Sequence, residues 1–242
     1  MQSVRTASGR RFAGTLATVL GAMAAVNIVI KFGPPHTGLV LGPAIAVLLL
    51  LLARRHGLTW DDLGMARRSW AKGGAYALAA VALVATVYAV GAAVPATRLA
   101  FLDARYHLDA GSAVVTALLV IPIGTVLLEE VAFRGVLHGL VGRHHGTLWA
   151  TGLSSALFGL WHILPSLRLS GANRAAAGFL GSGAWAQAAA VAGAVLFTAA
   201  AGVLLCELRR RSGSLLASAG LHWAANGIGV LLAAVVWAAH PA

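Results

Sequence analysis

The chain has 242 residues, of which 59% are hydrophobic and 10% charged, and its mean hydropathy is +0.83. So few polar groups exclude a disordered chain and a soluble enzyme with a polar shell, and a lone cysteine, Cys206, excludes a disulfide-stapled scaffold. A net charge of +11 would suggest nucleic acid in a soluble protein, but between apolar runs it marks loops rich in Lys and Arg, so no nucleic-acid partner is expected.

In chain order the apolar runs cover about 13–32, 38–53, 73–95, 112–141, 147–164, 184–206 and 214–238. Most reach the ~20 residues that cross a ~30 Å hydrocarbon core; the second is short enough to sit tilted or re-entrant. Only helices satisfy their backbone in lipid unless a barrel closes, and these runs lack the period-two alternation of barrel strands. The expected fold is all-α, a polytopic transmembrane helix bundle of seven spans, with an eighth if the last run splits. The first run is too long for a signal-peptide core and reads as a retained span. Residues 54–72 are basic with Trp60 and Trp70 interleaved, as in a connection lying at the membrane interface. Two portions follow: 1–111, membrane spans and a basic loop, and 112–242, a core that carries the unusual polar residues.

Loop charge sets the orientation. With the N-terminus inside, twelve basic residues (Arg5, Arg10, Arg11, Arg54, Arg55, Arg67, Arg68, Lys72, Arg143, Arg209, Arg210, Arg211) are cytoplasmic, and four (Arg98, Arg105, Arg168, Arg174) lie opposite. That asymmetry predicts a multi-pass protein of the cell membrane with a cytoplasmic N-terminus and lipid as its surroundings.

The fourth run carries Glu129, Glu130 and Arg134, each costing ~2.5–3.5 kcal/mol near a helix centre, while a flanking Leu or Val returns only ~0.3–0.6. Such a helix must turn its charges into a protein-lined cavity, and these residues are functional candidates by default. Glu130 and Arg134 stand at i, i+4 with the acid first, the order of a stabilising pair, and His138 continues their stripe. Glu129 points about 100° away with no partner on its own helix, which suits a general base. The fifth run aligns Ser154, Phe158 and His162, and the seventh Ser218, His222 and Asn226. Counted from the cytoplasmic ends, Glu129, His162, His222 and Asn226 lie roughly 18, 22, 12 and 18 Å deep, compatible with one shared site. The remaining histidines outside these stripes, such as His56, His144 and His145, fall in loops or at helix ends.

At these residues the chain resembles the CPBP family, the membrane CAAX prenyl proteases and bacteriocin-processing (Abi) proteins. Three motifs, each on its own run, carry the resemblance: Glu129-Glu130-Val131-Ala132-Phe133-Arg134 (EExxxR), Phe158-Gly159-Leu160-Trp161-His162 (FxxxH) and His222-Trp223-Ala224-Ala225-Asn226 (HxxxN). The resemblance implies an intramembrane endopeptidase acting on membrane-associated or lipid-modified peptides and proteins. In it Glu129 and His162 activate a water, His222 and Asn226 stabilise the oxyanion, and Glu130, Arg134 and Phe158 support them. The family is described as metalloprotease-like, so Glu129, His162 and His222 would be the ligands of a Zn2+ if one is bound, leaving a fourth position for water. No HExxH is present, and metal use stays open. Two other readings compete. One is a non-catalytic immunity or scaffold protein of the same fold; the other is a proton-coupled transporter that uses the buried carboxylates as a relay.

Overall fold

A computed structural model describes residues 2–240; Met1, Pro241 and Ala242, at the ends of the two expected portions, lie outside the described residues. The chain forms an all-α bundle: α1 (Gln2–Phe32), α2 (Thr37–Arg55), α3 (Trp70–Ala93), α4 (Ala110–His145), α5 (Thr147–Trp161), α6 (Ala184–Ser212) and α7 (Leu215–Ala239). Each expected run is a helix, and α7 is continuous, with no split that would add an eighth span. Among the described residues six helices are long and apolar enough to cross a membrane; α5 is the one that falls short. Its 15 residues reach only about 22 Å before the chain breaks at His162 and continues as the short helices Ile163–Ser166, Leu169–Ala172 and Arg174–Leu180. The helical run therefore ends four residues before Pro165, and His162 stands at a helix end rather than inside a span.

α4 is the axis. Every residue from 128 to 141 is buried, and Leu128, Phe133, Val136, Leu137 and Leu140 pack with Val19 and Met23 of α1, Leu49 of α2, Phe158 of α5 and Leu205 of α6. The two portions expected from the sequence thus close into one bundle. Outward faces are apolar in turn, with Leu78, Leu83, Leu196 and Phe197 exposed, as lipid contact requires. Small residues let backbones meet: a Cβ on Gly159 of α5 would stand 2.6 Å from the Val195 carbonyl of α6, and one on Gly220 of α7 2.5 Å from Ala77 Cβ of α3.

The ends differ in charge. At one end the segment between α2 and α3 buries Leu58 and Leu63 and is clasped by Arg143 on the Gly57 carbonyl and Arg209 on the Asp62 carbonyl. Trp60 and Trp70 stay exposed there beside Arg54 and Arg67. Burial acts to raise the Asp62 carboxyl, but the Thr59 backbone N–H and hydroxyl, with Arg143 and Arg209, outweigh it and hold it below the ordinary carboxylate range. The other end is sewn by Asp103, which accepts from Arg105 (2.7 Å) and Asn173, while Arg98 reaches His240 (2.8 Å).

Candidate functional site

Four of the seven helices deliver the polar residues. α4 carries Glu129, Glu130 and Arg134, all buried, on a stretch where a short α-helical turn (Leu127–Glu129) passes into a π-helical one (Glu130–Leu137). Arg134 donates to Glu130 Oε1 (3.2 Å) with neither side chain open to solvent, so the i, i+4 pair expected from the sequence is formed. Its guanidinium carbon lies over the Phe158 ring, 3.8 Å from the centroid, which gives that aromatic a charge-stabilising role. From α7, His222 Nδ1–H donates to the same Glu130 oxygen (2.9 Å). This fixes the imidazole and turns Nε2 toward Glu129 Oε2, 3.6 Å away.

Glu129 is held from a third helix. The Trp161 indole N–H of α5 donates to Glu129 Oε1 (2.9 Å), while Oε2 is buried with no protein hydrogen-bond partner. Glu130 Oε2 and two nitrogens of Arg134, Nε and Nη2, are likewise buried and uncommitted. Glu130 and Arg134 neutralise each other, which leaves Glu129 as the uncompensated carboxylate of the site. A desolvated carboxylate with a free oxygen beside an imidazole is the constellation of a base poised to take a proton.

His162 follows Trp161 at the end of α5. Its Nδ1–H donates to the Phe158 carbonyl (2.7 Å), so in the neutral ring Nε2 keeps its lone pair. The Phe158 ring packs edge-on against both His162 (centroids 4.6 Å apart) and His222 (5.6 Å), and so joins the two histidines. From α1, Asn27 Nδ2 donates to the Trp161 carbonyl (3.0 Å), securing the turn that presents Trp161 and His162.

Asn226 is placed differently from its expected role. It is exposed and lines a separate cavity of about 270 Å³ with Tyr88, Phe101, Asp103 and Tyr106. The helix turns π-helical over Ala224–Ile228, within the His222–Asn226 motif. His138 also leaves the Glu130–Arg134 stripe and faces Thr151 Oγ1 at 3.4 Å. Among the described residues no three His, Cys, Asp or Glu side chains are grouped to hold a metal ion. As arranged, then, the three expected ligands make a close pair, Glu129 and His222, without a third corner.

Two contributors escaped the sequence reading, Trp161 and Asn27. Both had a signal: an indole N–H or an amide inside an apolar run must find an acceptor. A third feature is a groove of about 640 Å³ between α3, α4 and α7. It runs from Met65 and Trp70 at the basic end past Ala77, Val131 and Trp223, and Glu130 is the charged residue on its wall.

A family model described as type II CAAX prenyl endopeptidase Rce1-like matches residues 111–228, just under half of the chain. That stretch contains all three motifs. No curated protein and no solved structure matches the chain.

Proposed function

We propose that this protein is an intramembrane endopeptidase in which Glu129 is the general base, a reading supported by the match of residues 111–228 to the type II CAAX prenyl endopeptidase Rce1-like model. The observation that carries the reading is Glu129 Oε2, buried, free of protein partners and 3.6 Å from His222 Nε2. One water donating to both atoms would have its lone pair free for attack. Its oxygen adds to the scissile carbonyl carbon while Glu129 takes a proton. The tetrahedral intermediate collapses with cleavage of the C–N bond, and the proton passes to the departing amine. The Arg134 charge, buried on the Phe158 face, favours the developing oxyanion through a low-dielectric interior. His162, whose Nδ1–H donates to the Phe158 carbonyl, would offer Nε2 as a second proton acceptor.

The apolar groove that has Glu130 on its wall suits a substrate with an apolar tail, which favours a lipid-modified or membrane-embedded peptide. The crowding of Arg and Lys at one end supports a cytoplasmic position for that end and for the N-terminus in a cell membrane.

Purified protein in lipid nanodiscs, given a prenylated CAAX peptide, should release a C-terminal fragment. Glu129→Gln should lower the rate by about 10²–10⁴-fold while the protein folds normally. Wild-type turnover by that variant would remove the mechanism.

A further inference from the structure

The indole of Trp161 bonds the oxygen of Glu129 that the proposed reaction leaves unused. Oε1 accepts from Trp161 Nε1 at 2.9 Å, and Oε2 is left toward His222. A carboxylate on a two-carbon stem rotates unless something holds it, and within α4 Glu129 has no partner to do so. The indole cannot swing freely either: its ring packs edge-on against Phe133 (centroids 5.8 Å apart), which itself packs against Phe158. Its backbone is gripped by α1 through Asn27 Nδ2 on the Trp161 carbonyl (3.0 Å), a carbonyl that the end of α5 would otherwise leave without a helical partner.

We propose that Trp161 is a positioning residue for Glu129, and that Asn27 extends the same control to α1, a helix outside the stretch the family model matches. Resting on Glu129 as the reacting base, the proposal adds a relay Asn27–Trp161–Glu129 that decides which carboxylate oxygen meets the water. The indole N–H also keeps Oε1 from competing for the proton. α1 is thereby part of the machinery rather than a lipid-facing addition.

Two measurements separate this proposal from the proposed function. The first needs no substrate. The chain has seven tryptophans, so an indole ¹⁵N–¹H spectrum of the full protein in nanodiscs is assignable, and Trp161→Phe identifies its resonance by loss. That resonance should lie at low field, move in Glu129→Gln, and stay in place when the surface acid is changed in Glu207→Gln. An unmoved Trp161 resonance in Glu129→Gln overturns the proposal whether or not the protein cleaves peptides. The second is kinetic. Trp161→Phe keeps the ring and removes the donor, so kcat should fall by roughly 10–100-fold with KM within about twofold, as losing a hydrogen bond to a charged group implies. Asn27→Leu should lower kcat by a few-fold in the same sense. Wild-type kcat in Trp161→Phe, or a loss confined to KM, overturns the positioning role. Absence of cleavage by the wild-type chain would instead strike the proposed function and leave the spectroscopic test standing.

Discussion

The Glu130–Arg134 pair permits a quantitative test of how the bundle tolerates charge. Arg134 has no exposed surface and Glu130 almost none, and their charged atoms are 3.2 Å apart. At an effective dielectric constant of ~20 that separation corresponds to about 5 kcal/mol of attraction, and it is set against the cost of desolvating both ions. Arg134→Met removes the cation and its contact with Phe158 but leaves the carboxylate buried, so it should destabilise the protein by about 3–5 kcal/mol. The double variant Glu130→Leu/Arg134→Met removes both charges and should be less destabilised than the single one. What remains is chiefly the lost acceptor of His222 Nδ1, worth about 1 kcal/mol. Equilibrium unfolding in mixed micelles, followed by tryptophan fluorescence, reads both. A single variant within about 1 kcal/mol of wild type, or a double variant as damaged as the two single changes added together, would refute the pair as a charge-compensating unit.

Asp103 ties the two loops opposite the basic end. Burial acts to raise its carboxyl, yet the Arg105 side chain and backbone and the Asn173 amide prevail and hold it below the ordinary range. A depressed folded-state value contributes stability above the unfolded value of ~3.9 that is lost as pH falls through the folded one, so thermal stability should drop below about pH 4. Asp103→Asn should flatten that dependence; an unchanged profile would refute it. Gly220→Ala, with its Cβ 2.5 Å from Ala77 Cβ, should cost about 1–3 kcal/mol by thermal melting, whereas Gly193→Ala, with nothing within 4 Å, should cost nothing measurable. Asn226→Ala should reduce peptidase activity less than His222→Ala, since Asn226 faces its own cavity; equal losses in kcat would mean that α7 rewinds to bring it in.

Much of this bundle was legible because lipid leaves the backbone so few choices. Seven apolar runs became seven helices, and the Glu130–Arg134 spacing became a buried pair, since both follow from one helix and its solvent. The partners of Glu129 were harder. An i, i+4 count says where a side chain points on its own helix but not which helix stands opposite, so the indole of Trp161 and the amide of Asn27 emerged only with packing. The fifth apolar run extends to about 164 because hydropathy continues past Trp161, although the helix closes at His162. Gly220 and Gly159 stand in apolar runs, and which backbone each admits is a tertiary fact.

The same reasoning accounts for Asn226. An aligned HxxxN triplet assumes 3.6 residues per turn, and α7 departs from that value within the motif itself. α4 does so three times, over Thr116–Val120, Pro122–Val126 and Glu130–Leu137. The last begins at Glu130, one residue after the proposed base, and the turn in α7 begins two residues after His222. A widened turn weakens the regular backbone ladder and re-aims side chains, which is costly unless the new direction is used. At Glu129 and Glu130 it is: Glu129 accepts from Trp161 and Glu130 from His222 and Arg134, while the His222 ring lies between the two carboxylates. In α7 the widened turn begins between His222 and Asn226, and Asn226 lines a cavity whose wall does not include the buried His222.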